Sequence, residues 1–401
     1  MSDSIRLKRM LAESDVRAGE EAETLPLLSV SISWGVRRRE ATGTTTRAAS
    51  EDLSNYKVCR AGDLVINRMR AFQGALGIAP EDGIVSPDYA VLRVAPGINS
   101  RWLNYFLTSG STVATMASLV RGIGGTDAGN VRTPRLNIAD LLSMGAPSVS
   151  ASEQCAIADY LDRETARIDT LIEEQQRLIE MLRERRESAV RAVLLRGLDS
   201  DAPLRASGSE FLGSIPTAWK VVPTRHLCTI TTGDEDSGNA TEDGTYPFYV
   251  RGREILRSNT YAFDGEAVMT PGDGQGGTGK VFHYFDGKFQ AHQRVYVFTD
   301  FHGITGRYFY YYLSTFLRPI ALAGSNTVTM ESLRRPLLAG FPVAVPPSDE
   351  QTRIVGYLDE QTAKIDQLIA ETERFIELSQ ERRAALITAA VTGQLDVRGA
   401  V

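Results

Sequence analysis

Two long stretches of the chain carry apolar side chains at helical spacing. They cover residues 152–190 and 348–386, and their apolar positions recur every three, four or seven residues. Strong helix formers fill the other positions, with no internal proline. Each stretch predicts one amphipathic helix about 60 Å long. The predicted helix-packing positions are Ile157, Leu161, Ile168, Leu171, Leu178, Leu182, Ile354, Leu358, Ile365, Leu368 and Phe375.

The two stretches are copies of one another. With an offset of 197 residues, Glu153-Gln154 matches Glu350-Gln351, and Tyr160-Leu161-Asp162 matches Tyr357-Leu358-Asp359. Such helices must bury their apolar stripes, and the other copy is the nearest partner. The path of the chain then predicts an antiparallel pair. The alternative is a coiled coil whose second helix belongs to another molecule.

The segments that precede the helices also repeat, but their apolar residues follow the period of a β-strand. In each segment two strand-like runs are followed by an aromatic stretch typical of a helix. The fold class predicted is therefore α+β, with two globular β-rich heads in a pseudo-two-fold arrangement, separated by two long antiparallel helices. The matched stretches are residues 62–67 and 265–270, residues 87–94 and 292–299, and residues 101–109 and 307–315.

Between matched strands the two heads carry different polar loops. The first is RMRAFQGALG (68–77) and the second PGDGQGGTGK (271–280). The second resembles a phosphate-binding P-loop, but Val281 stands where a hydroxyl must hold Mg²⁺. Strand-like residues with a predicted turn at Asp286-Gly287 also replace the required helix. An NTPase is therefore the least favoured function, and two loops on one framework indicate recognition of two different targets.

Composition and charge narrow the class of protein. The chain has 401 residues, a hydrophobic content of 42% and a formal net charge of −6, which predicts a globular protein of two or three domains. The sequence predicts no signal peptide and no membrane-spanning run. The three cysteines are far apart, which predicts reduced thiols and a cytoplasmic location, and the four histidines lack ligand spacing, so we predict no metal site.

The loops of both heads contain arginine, lysine, asparagine and glutamine, side chains that can contact polar targets, DNA among them. Arginine and lysine pair with guanine, asparagine and glutamine pair with adenine, and basic groups bind phosphates. Residues 197–349 nevertheless hold 13 basic and 16 acidic residues, which predicts weak DNA binding by this chain alone. The predicted DNA-binding residues are Arg37, Arg38, Arg39, Asn67, Arg68, Arg70, Gln73, Arg251, Arg253, Gln275, Thr278, Lys280, His292, Gln293 and Arg294.

The arrangement resembles the specificity (S) subunit of type I restriction–modification enzymes over nearly the whole chain. The helix motifs PPSDEQTRIVGYLDEQTAKIDQLI and ERRAALITAAVTGQLDV carry most of the resemblance. The loop GDGQGGTGKVFHYFDGKFQAHQRVYVF and the run VSPDYAVLRV resemble two classes of target recognition domain. The first helix departs from the pattern, because PSVSASEQ lacks the double proline of PPSDEQ.

The resemblance implies a DNA-recognition subunit that has no catalysis of its own. Each head reads one half of a split double-stranded DNA target, and the helices set the gap between the halves. Two methyltransferase (M) subunits dock on the helices, and restriction (R) subunits join them. S-adenosylmethionine, ATP and Mg²⁺ are expected on those partners, and this chain binds no cofactor. The complete assembly is expected to be a methyltransferase and an ATP-dependent endonuclease.

These expectations divide the chain into six segments. The alternative function is a coiled-coil adaptor with two protein-binding heads; the Arg-, Gln- and Gly-rich loops favour a polar, grooved target instead. The predicted segments are target recognition domain 1 (1–150), the first spacer helix (151–197), a linker (198–210), target recognition domain 2 (211–347), the second spacer helix (348–393) and a C-terminal tail (394–401).

Overall fold

The structure is a computed structural model that describes residues 4–39, 52–120, 135–209, 211–273, 279–323 and 333–397. The chain divides into two compact units. The first comprises residues 1–176 and 374–401, and the second residues 177–373. Both boundaries fall inside long helices, so each unit contains a segment of each helix.

The first unit is a β-rich head followed by the start of a long helix. Strand β1 pairs with β10, strand β3 with β4 and strand β5 with β8, while a four-stranded sheet has the order β2-β9-β6-β7. The elements are β1 (Ser4–Arg6), β2 (Leu11–Ser14), β3 (Leu28–Ser31), β4 (Gly35–Arg38), β5 (Lys57–Cys59), β6 (Leu64–Asn67), β7 (Leu76–Ile78), β8 (Gly83–Val85), β9 (Tyr89–Val94), α1 (Ser100–Thr108), α2 (Gly110–Leu119), α3 (Ile138–Ser143), β10 (Gly145–Pro147) and the long helix α4 (Ala151–Arg196).

The second unit repeats this plan. Strand β11 pairs with β12 and β13 with β20, and a six-stranded sheet has the order β14-β19-β17-β18-β15-β16. The elements are β11 (Leu204–Ala206), β12 (Ser214–Pro216), β13 (Lys220–Pro223), β14 (Thr229–Thr232), β15 (Tyr246–Tyr249), β16 (Ile255–Ser258), β17 (Phe263–Pro271), β18 (His283–Ala291), β19 (Val295–Thr299), α5 (Gly306–Ala323), α6 (Arg335–Gly340), β20 (Pro342–Val345) and the long helix α7 (Ser348–Val391).

The two heads share one framework. The order β2-β9-β6-β7 in the first corresponds to β14-β19-β17-β18 in the second, and α1 corresponds to α5. In each head one early strand pairs with the strand that directly precedes the long helix: β1 pairs with β10, and β13 pairs with β20. The internal repeat and the α+β class predicted from the sequence are confirmed. The additional strands β15 and β16 distinguish the second head.

Each head has an apolar core that extends onto the long helices. In the first unit, Trp102 and Leu103 of α1 pack in one cluster with Leu161 of α4 and Ala390 of α7. In the second, the α5 aromatics pack in one cluster with Leu194 of α4 and with the start of α7. Burial of this apolar area is the main force that fixes each head to its helix segments.

Within each unit, the segments of α4 and α7 are antiparallel. In the first unit Asp169 accepts a hydrogen bond of 2.8 Å from Arg383 Nε. In the second, Asp366 pairs with Arg186 at 2.9 Å. The two ion pairs are related by the offset of 197 residues that relates the helices. The predicted antiparallel direction is thus present in both units.

The middle of the predicted apolar stripe is wrong by one residue. Leu178, Leu368 and Phe375 are exposed by 36%, 49% and 44%. Each of these three residues is followed by an isoleucine, and only one member of such an apolar doublet can face the partner helix. In the doublet Leu178-Ile179 the buried member is Ile179, which is 6% exposed. Buried or half-buried positions along the two stripes include Leu161, Thr165, Ile168, Ile172, Gln175, Ile179, Leu182, Arg186 and Val190 on α4, and Leu358, Thr362, Ile365, Ile369, Thr372, Ile376, Ser379, Arg383 and Ile387 on α7.

The turn predicted at Asp286-Gly287 is also wrong, because β18 runs straight through it. Gly287 lies opposite Gly265 of β17 in an antiparallel register. Both glycines have positive φ, 137° and 116°, a conformation that glycine alone adopts easily. The glycine pair therefore bends the two strands without ending them. The segment after Lys280 is a strand rather than a helix, so it lacks the helix that a P-loop requires.

We expect thiol alkylation to distinguish the three cysteines. Cys59 and Cys228 are buried, and burial raises the pKa of each thiol to about 12. Since the thiolate is the reactive form, only the exposed Cys155 should react with iodoacetamide at pH 8 in the native protein. Peptide mass spectrometry would identify the modified site. Cys155→Ser should abolish labelling, and urea should expose all three thiols. Native labelling of Cys59 or Cys228 at the rate of Cys155 would contradict this packing.

Candidate nucleic-acid interface

Three chain segments of the second head bring two arginines to one carboxylate. Asp273 follows β17, Arg294 precedes β19 and Arg251 follows β15. Arg294 Nη1 lies 3.1 Å from Asp273 Oδ2, and Arg251 Nη1 lies 3.9 Å from Asp273 Oδ1. The arginine side chains stay about half exposed, at 55% and 48%. The carboxylate therefore orients two guanidinium groups without burying them, an arrangement suited to bidentate recognition.

The neighbouring His292 and Gln293 belong to the same surface. The side chain of Gln293 donates to Asp236 Oδ2 at 3.3 Å, and His292 Nε2 lies 3.8 Å from the same oxygen. His292 Nδ1 accepts a hydrogen bond of 3.0 Å from the backbone N–H of Arg294. Burial lowers the pKa of His292, and Arg251 lowers it further. Neutral His292 therefore shapes the turn that presents Gln293 and Arg294.

The remaining candidates of the second head flank the glycine loop. Lys280 is exposed at the end of that loop, and Arg253 is exposed beside it. His283 Nε2 lies 3.3 Å from the carbonyl oxygen of Gly252 and ties the two segments together. Gln275 and Thr278 lie outside the described residues, so their predicted DNA contacts stay predictions.

In the first head, the loop after β6 contains both exposed and structural candidates. Arg70 and Gln73 are exposed, whereas the side chain of Asn67 is buried and its oxygen accepts a hydrogen bond from Met69 N. Arg68 Nε donates to a backbone carbonyl at 3.3 Å. Asn67 and Arg68 therefore support the loop, and Arg70 and Gln73 are its two free-standing polar side chains.

Strand β4 brings a second group of basic residues toward that loop. Arg37 is exposed, and Arg38 forms an ion pair of 2.5 Å with Glu81. Burial raises the pKa of the Tyr89 hydroxyl, and the positive charges of Arg39 and Arg70 oppose this shift. Arg39 and Arg70 thus lie near the same hydroxyl, so the end of β4 and the loop after β6 form one basic surface.

A polar cluster that the sequence analysis missed fastens the second head to α7. Arg307 Nη2 donates to Asp359 Oδ1 at 2.7 Å, and Tyr311 Oη donates to the same oxygen at 2.5 Å. Tyr311 is also 3.3 Å from Thr362 Oγ1. Burial and the adjacent Asp359 raise the pKa of Tyr311 to about 12, so the phenol stays a hydrogen-bond donor at neutral pH.

The first head has the same cluster on α4. Arg101 Nη1 donates to Asp162 Oδ2 at 2.5 Å, and Tyr105 Oη donates to Asp162 Oδ1 at 2.8 Å. Tyr105 lies 3.2 Å from Thr165 Oγ1. Each of the four residues corresponds to one in the second unit. The matching Tyr-Leu-Asp motifs of the two helices were the sequence signal for this cluster.

A buried glutamine provides a second link in the second unit. Gln351 is only 1% exposed. Its side-chain oxygen accepts from the backbone N–H of Thr305 at 2.9 Å, and its side-chain nitrogen donates to the carbonyls of Gly303 at 3.0 Å and Pro346 at 2.9 Å. One side chain therefore joins the start of α5 to the start of α7.

Gln154 repeats this link in the first unit. It is 2% exposed, accepts from the backbone N–H of Asn99 at 2.8 Å and donates to the carbonyl of Val149 at 3.1 Å. The glutamine of the Glu-Gln pair near the start of both helices thus links each head to its helix by hydrogen bonds.

Comparison with known proteins finds a similarity that covers the second head. A family model described as the type I restriction modification DNA specificity domain matches residues 216–377. The specificity subunit of the type I restriction enzyme EcoDI from Escherichia coli is 31% identical over 183 residues, which are 46% of this chain and 40% of that protein. The chain thus covers well under half the length of this curated relative.

Solved structures extend the likeness to the whole fold. A chain from a study of complex assembly and conformational transition in the type I R-M system matches with a TM-score of 0.74 at 15% identity, covering 98% of both chains. The HsdS subunit from Thermoanaerobacter tengcongensis matches with a TM-score of 0.54 at 16% identity, covering 98% of this chain and 97% of that one.

The similarity by sequence covers the second head and nearby helix residues, and the similarity by fold covers nearly the whole chain. Residues 216–377 are similar to the type I restriction modification DNA specificity domain, and the chain as a whole shares the fold of the HsdS subunit. The family resemblance predicted from the sequence is confirmed. Within the part of the chain that the structure describes, no helix combines the length and apolar composition needed to cross a membrane.

Proposed function

We propose that this chain is the DNA sequence-recognition subunit of a type I restriction–modification complex. Each head reads one half of a split double-stranded target, and the long helices set the gap between the halves. The observation that carries the proposal is that one framework occurs twice, is attached to its helix by the same polar cluster, and bears a different polar loop sequence each time.

In the second head, Arg251, Gln293 and Arg294 are the residues proposed to read bases. All three side chains contact carboxylates and are still exposed. The arginines have the donors that recognise guanine N7 and O6, and the glutamine can pair with the edge of adenine. In the first head, the corresponding role belongs to Arg70 and Gln73 on the loop after β6. Different side chains at equivalent loop positions support an asymmetric target.

The partners proposed are two methyltransferase subunits and the restriction subunits. Exposed apolar side chains on the helices support docking: Met181 is 59% exposed and Leu368 49% in the second unit, and Leu378 is 47% exposed in the first. DNA methylation and cleavage are carried out by the partners, which bind S-adenosylmethionine, ATP and Mg²⁺. The chain acts in the cytoplasm and performs no catalysis itself.

The proposal is tested by mapping methylated bases in cells that express this chain together with a type I methyltransferase subunit. The expected result is a split motif with a fixed gap, present only when this chain is expressed. Methylation that is absent, or identical without this chain, would contradict a role in sequence recognition.

A single arginine should change that motif at one position. Arg294→Ala is expected to reduce discrimination at one base pair of one half-site by roughly 10- to 100-fold, because a bidentate arginine–guanine pair contributes about 1–3 kcal/mol. Asp273→Ala should weaken the same position less, since it frees the arginine without removing it. The readout is the methylated motif, with the exposed Arg225→Ala as control. An unchanged motif in Arg294→Ala would remove this residue from base recognition.

A further inference from the structure

The second unit contains an open cleft beside the recognition surface. Its volume is about 1010 Å³, and it is lined by α4, α7, α5 and the segment that ends the glycine loop. The four stretches that contribute are residues 183–190, 366–373, 310–319 and 279–283. Arg253, two residues beyond Arg251, also lines it. The cleft therefore adjoins the residues proposed to read bases, yet most of its wall comes from helices.

The cleft has an excess of positive charge. Five basic side chains line it, against the three carboxylates of Glu187, Asp366 and Glu373. Two of these carboxylates are already paired: Glu373 lies 3.0 Å from an arginine, and Asp366 lies 2.9 Å from another. The basic residues are Arg183, Arg186, Arg253, Lys280 and Arg318. This excess stands in contrast to the net charge of −6 of the whole chain.

Three of the basic side chains have no carboxylate partner among the residues that the structure describes. These are Arg253, Lys280 and Arg318, which come from three different segments of the wall. Ser314 and Thr315 add hydroxyl donors on the same helix as Arg318. Guanidinium, ammonium and hydroxyl groups are the side chains that bind phosphate oxygens in protein–DNA complexes.

We propose that this cleft binds the phosphodiester backbone of the DNA strand that leaves the reading surface of the second head. The inference rests on the proposed function and assigns a DNA contact to Arg318, which the sequence analysis did not select. Arg253 and Lys280 link the cleft to the reading surface, because His283 ties their two segments together through Gly252.

The wall favours an extended backbone over a small nucleotide. Its helical residues come from the middle or later turns of α4, α5 and α7, so no helix N-terminus presents backbone N–H groups to a triphosphate. The unpartnered cations are spread over separate segments rather than gathered around one point. That spacing suits successive phosphates along a strand.

The test measures DNA binding by the full chain as a function of salt. A fluorescent 30-base-pair duplex carrying the mapped motif, and a second with that motif shuffled, would be titrated by anisotropy at several KCl concentrations. Arg318→Ala and Lys280→Ala should each flatten the slope of log K against log [KCl] by about 0.9. At 0.1 M salt each should weaken both duplexes by about eightfold, since one released counterion contributes that factor.

Two variants distinguish charge from folding. Arg318→Lys keeps the charge and should restore the slope. Arg353→Ala removes a cation of α7 that is 65% exposed and outside the cleft, and should leave the slope unchanged. An unchanged slope in both Arg318→Ala and Lys280→Ala would overturn the inference about the cleft and leave the proposed function standing. If the map of methylated bases shows no motif that depends on this chain, the proposed function fails as well. Binding of ATP that is lost in Lys280→Ala, with DNA binding intact, would instead assign the cleft to a nucleotide.

Discussion

Gln351→Ala should destabilise the second unit by about 3 kcal/mol, a loss of more than about 100-fold in its folding equilibrium. The substitution removes three hydrogen bonds from a side chain that is 1% exposed, and it leaves the backbone groups of Thr305, Gly303 and Pro346 without a partner. A unit of this size should melt about 6–12 °C lower. Differential scanning calorimetry measures the shift, and hydrogen exchange at the start of α5 locates it.

Matched variants show whether the glutamine acts through its burial. Gln380→Ala removes the same side chain from an exposed site on the same helix and should change the free energy of unfolding by less than about 0.5 kcal/mol. Gln154→Ala should repeat the destabilisation in the first unit, somewhat more weakly because two hydrogen bonds are lost there. A melting temperature for Gln351→Ala within 1 °C of the unaltered chain would show that the link is dispensable.

Removing seven residues from each long helix should abolish methylation of the original motif or shorten its gap. Deletion of residues 172–178 and 369–375 takes out equivalent positions and keeps the three- and four-residue spacing of the buried stripe. Each helix becomes about 10 Å shorter, which is about three base pairs of DNA. DNA rotates by roughly 100° over that distance, so the two half-sites of the original motif no longer face their heads together.

The measurement is again the map of methylated bases, with methylation of the original motif expected to fall more than about 100-fold. The ion pairs of Asp169 with Arg383 and of Arg186 with Asp366 retain their spacing after the paired deletion, so the helices are expected to pair as before. Deleting residues 172–178 alone is the control, and it should prevent correct pairing. An unchanged gap after the paired deletion would mean that the helices do not set it.

Local periodicity explains why the framework was predictable. Apolar residues recur every three or four positions in an amphipathic helix and every second position in a strand. The helices α4 and α7 and the strands of both heads are therefore predictable from short-range pattern. The duplication added a comparison inside one chain: residues matched at the offset of 197, such as Asp162 and Asp359, proved to make the same contacts in both units. The P-loop resemblance was also resolved locally, because the required helix is replaced by β18.

The tertiary structure decided what depends on residues distant in the chain. Both members of an apolar doublet such as Leu178 and Ile179 satisfy the helical pattern, and only the partner helix selects the one that is buried. Likewise, the glycine opposite Gly287 in the register of β17 and β18 keeps the strand continuous where the local sequence predicts a turn.

The recognition surface shows the same division between sequence and structure. The sequence by itself determined two repeated α+β heads, two long helices and two different polar loops, because these features depend on local spacing and composition. Only folding placed Arg251 and Arg294 beside the carboxylate of Asp273. Only folding brought Arg318 into the cleft of the same unit. Charges far apart in sequence act together when the backbone brings them within a few ångströms, and that distance is a property of the folded chain.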